Sequence, residues 1–210
     1  MRFNSDQIQK IGKEISSKVD GKTLFDEFSR GRYSTDASVY QIKPLGVVLP
    51  KDTNDVLSLM EYSQKNSVPL LARGGGSSQC GQTVGESVVL DYSKHQNKIL
   101  ELNVEEKYVW VQPGVVLDHL NDYLKPHGLW FPVDVSTSSR ATIGGMSANN
   151  SCGSRSLYYG NMVHNVLAIE AILDDGSIFQ FDQINKNYLA TKNNQDRLYK
   201  IIDKFIDVRQ

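Results

Sequence analysis

The stretch Arg73-Gly74-Gly75-Gly76-Ser77-Ser78-Gln79-Cys80-Gly81-Gln82 follows the apolar run Val68-Pro69-Leu70-Leu71. A second glycine-rich stretch comes later, as Ala141-Thr142-Ile143-Gly144-Gly145-Met146-Ser147-Ala148-Asn149-Asn150-Ser151. Three consecutive glycines after a strand carry no Cβ and permit positive φ angles, so their N–H groups can turn inward and contact a diphosphate. We call residues 74–82 the first glycine loop and residues 142–145 the second glycine segment. We expect both to face one cleft, with backbone amides directed at a diphosphate between them.

The glycine spacing excludes the two commonest phosphate motifs. The chain has no Gly-x-x-x-x-Gly-Lys-Ser/Thr sequence, and its glycines are not spaced as Gly-x-Gly-x-x-Gly. Walker-type and Rossmann-type sites are therefore disfavoured. A glycine loop by itself is also compatible with an ordinary turn, so the interpretation depends on the other blocks of the sequence.

Five blocks follow one another in the chain. They are Arg73 to Gln82, Val111-Gln112-Pro113-Gly114-Val115, Phe131-Pro132-Val133-Asp134-Val135-Ser136-Thr137-Ser138, Thr142-Ile143-Gly144-Gly145, and Tyr159-Gly160. In this order they resemble the FAD-linked oxidase family, whose flavin domain is of the type shared with vanillyl-alcohol oxidase and p-cresol methylhydroxylase. The segments at residues 33–40 and 153–160 most resemble the D-lactate, glycolate and related 2-hydroxyacid dehydrogenases, particularly the long-chain members with a C-terminal iron–sulfur segment.

The pattern of elements predicts an α+β chain with two lobes. The first lobe spans about residues 1–95. It contains a helix at residues 5–19 capped by Ser5 or Asp6, a β-α-β unit with strands at residues 46–50 and 68–71 and a helix capped by Asp52, and a strand at residues 88–91. The resemblance implies the same division, a two-lobed PCMH-type FAD-binding domain with FAD in the cleft between the lobes.

The second lobe, at about residues 96–210, has shorter strands joined by turns. Strands are predicted at residues 99–102, 108–112, 166–173 and 178–181, the last two forming a hairpin through Asp174-Asp175-Gly176. A helix at residues 115–125, closed by His127-Gly128, lies among them. A final apolar stripe at helical spacing comprises Leu198, Ile201, Ile202, Phe205 and Ile206.

The resemblance implies the set of residues that bind FAD. The backbone amides of the first glycine loop would hold the pyrophosphate, the second glycine segment would close on it, and residues 132–138 would approach the ribityl or adenosine part. Val166 would contact adenine through its backbone. Arg73 is either an anion ligand or an anchor for loop carbonyls, and the sequence leaves both open. The set is Arg73, Gly74, Gly75, Gly76, Ser77, Ser78, Gln79, Gly81, Gln82, Pro113, Gly114, Pro132, Asp134, Ser136, Thr137, Ser138, Thr142, Ile143, Gly144, Gly145, Asn149, Tyr159, Gly160 and Val166.

The substrate chemistry is expected to lie mostly outside this chain. Some members of the family attach FAD through a His in the first loop, where this sequence has Ser77, so the flavin is expected to be noncovalent. Arg155 is the one candidate to face the isoalloxazine side. Surface or structural roles are expected for the four histidines, His95, His119, His127 and His164.

The resemblance also implies segments that are not in these residues. Family members carry a further glycine-rich segment and a separate substrate cap, so we expect residues 1–210 to be a truncated FAD-binding domain without the cap. The substrate would bind through that cap, and an iron–sulfur cluster is expected only in a missing C-terminal region. Alone, the chain is expected to bind FAD weakly, to lack activity and to be prone to self-association.

Composition restricts the partners. The formal net charge of −1 disfavours nucleic acid, no apolar stretch approaches a membrane span, and the N-terminus has no apolar signal core. The chain is expected in the cytoplasm, with peripheral membrane association open for a full-length parent. Cys80 and Cys152 are not arranged as a metal-binding pair, and we expect no metal site.

These features favour the N-terminal part of an FAD-dependent dehydrogenase of D-2-hydroxyacids such as D-lactate or glycolate. Two alternatives stay open. One is a noncatalytic remnant or binding module that keeps the fold. The other is a flavoenzyme resembling UDP-N-acetylenolpyruvoylglucosamine reductase, which the blocks at residues 136–159 disfavour. The individual substrate, the electron acceptor and the oligomeric state are left open.

Overall fold

The computed structural model describes residues 3–182 and 200–204. The chain forms two compact units, Met1–Asn165 and Val166–Gln210. Of the predicted final stripe, Ile201 and Ile202 fall in the helical residues 200–204, whereas the remaining three residues lie outside the described part. Among the described residues, no helix has both the length and the apolar character needed to cross a membrane.

A four-stranded sheet in the first unit leads directly into the first glycine loop. Its strands are β1 (Lys22–Leu24), β2 (Gly46–Leu49), β3 (Leu70–Arg73) and β4 (Val88–Asp91), in the order β1-β2-β4-β3. Strand β1 is antiparallel to β2, and the other pairs are parallel. The predicted β-α-β unit is present, with β4 inserted between its strands. Strand β3 starts two residues later than predicted because Pro69 has no N–H to donate to a ladder.

The helices in this part of the chain are α1 (Ser5–Ser16), α2 (Glu27–Arg32) and α3 (Thr53–Asn66). Helix α1 contacts β1, and α2 contacts β2. Asp52 caps α3 as predicted, accepting the N–H groups of residues 54 and 55. The predicted cap of α1 is wrong, because Asn4 forms a capping box with Gln7, and the helix ends at Ser16 instead of residue 19. Helix α2 was not predicted.

The rest of the first unit begins with an antiparallel pair, β5 (Ile99–Asn103) and β6 (Tyr108–Val111). Helix α4 (Leu117–Leu124) packs on this pair through buried leucines. It begins two residues later than predicted because Val116 forms a β-bridge with Thr142. Gly128, at φ +68°, closes the turn after it.

Three short helices complete the first unit: α5 (Ile143–Ala148), α6 (Ser156–Tyr159) and α7 (Met162–Asn165). None of them was predicted. In the second unit, β7 (Ile169–Ile172) and β8 (Ile178–Phe181) form the predicted hairpin. The predicted start of β7 at residue 166 is wrong, because α7 continues to Asn165 and Val166 lies outside the strand.

Candidate cofactor-binding site

The two glycine-rich regions lie in contact, although they are far apart in the sequence. A Cβ atom added to Gly74 would stand 2.0 Å from Thr142 Oγ1, and one added to Gly75 would stand 2.1 Å from the carbonyl oxygen of Arg140. Gln82 also bridges to the end of α5, since its Nε2 donates to Asn149 Oδ1 over 2.8 Å. The predicted proximity of the two regions is confirmed, and their packing leaves no room for side chains at these glycines.

The first glycine loop presents a run of available donors. Within the described residues, no backbone N–H group from Gly74 to Gln79 donates to a protein acceptor. Only Gly76 of the three consecutive glycines has a positive φ angle, +64°. Unpaired backbone amides on successive residues are the donors that anion sites in proteins use. This loop therefore has the donors that a diphosphate needs.

The second glycine segment does not offer the amides expected of it. The N–H of Ile143 donates to the carbonyl of Val115 over 2.8 Å, and that of Gly144 donates to the carbonyl of Pro113 over 2.9 Å. The N–H of Gly145 points at Thr142 Oγ1, which caps α5. The expectation of opposed amides is therefore wrong for this segment. The second glycine segment instead forms the surface against which the first glycine loop packs.

The block at Pro113 and Gly114 joins the same assembly. A Cβ on Gly144 would stand 2.5 Å from Pro113 Cβ, and one on Gly114 would stand 2.2 Å from the carbonyl oxygen of Tyr92. Tyr92 in turn donates its N–H to the carbonyl of Arg73 over 3.0 Å. Three of the five sequence blocks thus meet at the end of the parallel sheet.

From the sequence, Arg73 is either an anion ligand or an anchor for loop carbonyls. Its hydrogen bonds support the role of an anchor. Its Nη1 donates to the carbonyl of Thr83 over 3.0 Å, and its Nη2 donates to that of Thr35 over 2.8 Å. Burial lowers the pKa of the guanidinium, and the nearby Asp91 opposes this shift. Because these donors are directed at carbonyls, they hold the protein rather than point to a ligand.

A second cluster forms around Asp134 and Arg155. Ser154 Oγ donates to one oxygen of Asp134 over 2.7 Å, and the N–H of Arg155 donates to the other over 3.0 Å. The guanidinium of Arg155 stands 4.9 Å from the Trp130 ring centre, and Tyr159 meets that ring edge-on. The carboxylate of Asp134 therefore holds the 153–155 turn instead of standing free for a ribose. Trp130 was missed, although it adjoins a recognised block.

The Asp134 carboxylate is expected to make the stability of the surrounding 153–155 turn depend on pH. The hydroxyl of Ser154, followed by the N–H of Arg155, lowers the pKa of this carboxyl below its ordinary value of 3.8. A lowered pKa means that the stabilisation is complete above pH 3.8 and is lost as the pH falls through the folded-state pKa. In a Trp110→Phe background, Trp130 fluorescence is expected to change in that acid range.

Two variants check this assignment. Asp134→Asn should abolish the acid transition of Trp130, and Ser154→Ala should move its midpoint towards pH 3.8. Circular dichroism recorded on the same samples separates this local change from unfolding. An unchanged transition in Asp134→Asn would show that another group reports through Trp130.

Several of the remaining predicted residues contribute to local structure. The carbonyl of Thr137 accepts the N–H groups of residues 140 and 141, and that of Ser138 accepts the N–H of Asp118. Ser136 is exposed, and Pro132 is half-buried. Gly160 has φ +78°, and its missing Cβ leaves room for His164. His164 accepts the N–H of residue 161, a structural role.

Comparison with known proteins identifies the family. The profile of the family described as "FAD binding domain" matches residues 44–182. The chain belongs to this family. The FAD-binding domain is 42% identical over 155 residues to a D-2-hydroxyglutarate dehydrogenase of Haemophilus influenzae, covering 72% of this chain and 15% of that protein. It is 43% identical over 164 residues to the enzyme of the same name from Pseudomonas putida, covering 77% and 16%.

A third relative is the glycolate oxidase subunit GlcD of Bacillus subtilis, 35% identical over 177 residues, with 82% of this chain and 38% of that protein covered. The chain thus spans only part of its relatives. Among solved structures, alkyldihydroxyacetonephosphate synthase is 20% identical with a TM-score of 0.71, covering 86% of this chain and 35% of that one. p-Cresol methylhydroxylase is 19% identical with a TM-score of 0.69, covering 84% and 36%. The predicted α+β fold of the PCMH type is confirmed.

Proposed function

We propose that this chain is the FAD-binding part of a flavin-dependent oxidoreductase that oxidises a D-2-hydroxyacid, with FAD held noncovalently. The observation that carries the proposal is the run of unpaired amides at residues 74–79, packed against the second glycine segment. Together with membership of the FAD-binding family, this run supports a diphosphate site of the flavin nucleotide type.

Residues are assigned to parts of FAD according to whether their hydrogen-bonding groups already have protein partners. The amides of residues 74–79 would bind the pyrophosphate, with the hydroxyl of Ser77 beside them. The hydroxyl of Ser78, also predicted for this role, instead donates to Gln82 Oε1 over 2.6 Å and accepts the N–H of Cys80. Gln82 and Asn149 would close one side, and residues 113–114 would form the floor. We retain Val166 as the candidate for adenine, and Pro132, Ser136, Thr137 and Ser138 as candidates for the ribityl or adenosine part. Ser77 in place of a His supports noncovalent attachment.

The bound flavin would supply the hydride acceptor. Arg155 is the candidate of this chain for the isoalloxazine side, because Trp130 and Asp134 hold its guanidinium, Nε standing 3.7 Å from an Asp134 oxygen. The base and the groups that bind the substrate carboxylate are assigned to the parts of the longer relatives that this chain does not cover.

We propose D-2-hydroxyglutarate as the first substrate to test, ahead of D-lactate and glycolate. Relatives named D-2-hydroxyglutarate dehydrogenase are 37–43% identical to this chain. A relative named glycolate oxidase subunit is 35% identical, and two named D-lactate dehydrogenase are 29% and 40% identical over their matched residues. The electron acceptor stays open, and any iron–sulfur cluster is assigned outside this chain.

The test uses a longer protein that carries this chain, assayed with the three substrates and an artificial dye acceptor. We expect the highest kcat/KM for D-2-hydroxyglutarate, and we expect acid precipitation to release all of the flavin. Residues 1–210 alone are expected to show no turnover. Turnover of D-lactate at least equal to that of D-2-hydroxyglutarate would overturn the substrate assignment. Flavin that stays with the precipitate would overturn noncovalent binding.

A further inference from the structure

Arg73 connects the two ends of the first glycine loop. It is the last residue of β3, and its guanidinium donates to the carbonyl of Thr83, just after the loop. The same group donates to the carbonyls of Tyr33 and Thr35, about forty residues earlier, over 3.5 and 2.8 Å. We call residues 33–35 the strap. One side chain therefore ties the strap, the loop's start and the loop's end together.

The strap is itself fixed to the sheet. Tyr33 donates its hydroxyl to Asp91 Oδ2 over 2.7 Å, and its ring centre lies 5.2 Å from the guanidinium carbon of Arg73. Asp91 is buried at the end of β4 and also accepts the N–H and hydroxyl of Ser93. Burial, followed by Asp91, raises the pKa of Tyr33 to about 12, so its hydroxyl remains a donor at neutral pH.

The guanidinium also lies beside Gly76, the one residue of the Gly74–Gly76 run with a positive φ angle. Gly76 has φ +64°, and a Cβ there would stand 2.5 Å from Arg73 Nη2. The guanidinium thus packs against the backbone of the loop whose amides are unpaired. Among the described residues its hydrogen bonds go to carbonyl oxygens, and it forms no ion pair with a carboxylate.

We propose that Arg73 is a positioning residue that holds the first glycine loop in its amide-presenting shape, without itself contacting the diphosphate. This inference rests on the proposed function. It also enlarges the site, because the strap lies outside residues 44–182, the part matched by the family profile. The planar guanidinium of Arg holds donors on separate nitrogens at fixed angles towards several carbonyls, whereas the three donors of Lys share one nitrogen at the end of a flexible stem.

The test compares Arg73→Met and Arg73→Lys with Arg32→Met, a control with the same loss of charge at an exposed position near Phe28. Backbone ¹⁵N relaxation of residues 74–82 measures loop order, and NMR titration measures FAD affinity. We expect both Arg73 variants to lower the loop order parameters and to raise the Kd for FAD about tenfold, because an unpositioned loop must be ordered on binding. The control should change neither.

Two further readouts separate positioning from direct contact. A positioning role predicts that Arg73→Lys, which keeps the positive charge near the ligand, loses loop order and FAD affinity as Arg73→Met does, whereas Lys would retain most of a direct charge contact. Tyr33→Phe, a milder change, should loosen the loop to a smaller extent and serves if Arg73→Met does not fold. Rescue by Lys, or unchanged loop order in the Arg73 variants, would overturn the inference. Failure of the wild-type chain to bind FAD would count against the proposed function, and loop order would still decide the role of Arg73.

Discussion

Gly75→Val is expected to abolish FAD binding and to lower the free energy of unfolding by about 3 kcal/mol. Its Cβ would stand 2.1 Å from the carbonyl oxygen of Arg140 and 2.9 Å from the carbonyl carbon. That peptide cannot move easily, because Thr137 accepts hydrogen bonds of 2.8 Å from the N–H groups of residues 140 and 141. The first glycine loop must therefore be pushed away from the second segment, and its amides lose their alignment.

Gly145→Ala, which adds a Cβ at a less crowded glycine of the same assembly, is the control. A Cβ at Gly145 meets one neighbour within 4 Å, Thr142 Oγ1 at 3.2 Å, which a small side-chain adjustment can accommodate. NMR titration with FAD and urea unfolding followed by circular dichroism measure both effects. We expect the control to bind FAD within about twofold of wild type, as for a substitution without a large clash. Equal losses in the two variants, or retained binding in Gly75→Val, would mean that close packing of the two regions is not required.

Gly114→Val should destabilise the first unit most, by about 3 kcal/mol or more. Its Cβ would stand 2.2 Å from the carbonyl oxygen of Tyr92 and 2.6 Å from that of Gln96. Both carbonyls are held, since Gln96 donates its N–H to Tyr92 and accepts the N–H of Gly114 over 2.7 Å. Because the N–H of Tyr92 donates to the carbonyl of Arg73, displacing Tyr92 would also disturb the end of β3.

The control for this variant is Gly31→Ala in α2. A Cβ there has nothing within 4 Å, and its φ angle is an ordinary one. Replacing a helical glycine by alanine is expected to stabilise the chain by about 0.5 kcal/mol. Urea midpoints of both variants, measured without FAD, report the difference. A Gly114→Val chain as stable as wild type would contradict the packing described at this position.

Elements dictated by local signals could be predicted from the sequence. Strands β2 and β4 are short apolar runs between turn signals, and their valines are buried. Asp52 caps α3 as a residue of its type commonly does. The hairpin of β7 and β8 follows from Asp-Gly in its turn. In these places the neighbouring residues alone determine the structure.

Elements that depend on distant contacts could not be predicted. Helix α5 starts with Ile143-Gly144-Gly145, a poor helix-forming sequence, and forms because Thr142 caps it and the carbonyls of residues 113 and 115 accept its first N–H groups. Helix α7 continues to Asn165, whose side chain bonds to two carbonyls in the preceding turn. The groups that accept these hydrogen bonds do not follow from the spacing of apolar residues, so the sequence pattern does not predict either helix.

The site was predictable in position and less so in detail. Glycine clusters showed which segments approach each other, because close backbone contact excludes side chains. No sequence pattern indicates that the amides of Ile143 and Gly144 are occupied, or that Asp134 holds Arg155. It also left the direction of Arg73 open. These features depend on which carbonyl lies opposite each donor, and only the folded chain determines that.

The most direct test of the central claim is an NMR titration of the ¹⁵N-labelled chain with FAD, repeated with ADP and with riboflavin. NMR suits this purpose because it detects weak binding residue by residue. FAD and ADP, which carry the diphosphate, are expected to shift the amide resonances of residues 74–79 most strongly, whereas riboflavin, which lacks it, should leave them unchanged. Shifts confined to other residues, or equal shifts with riboflavin, would contradict the assignment of this loop as the diphosphate site.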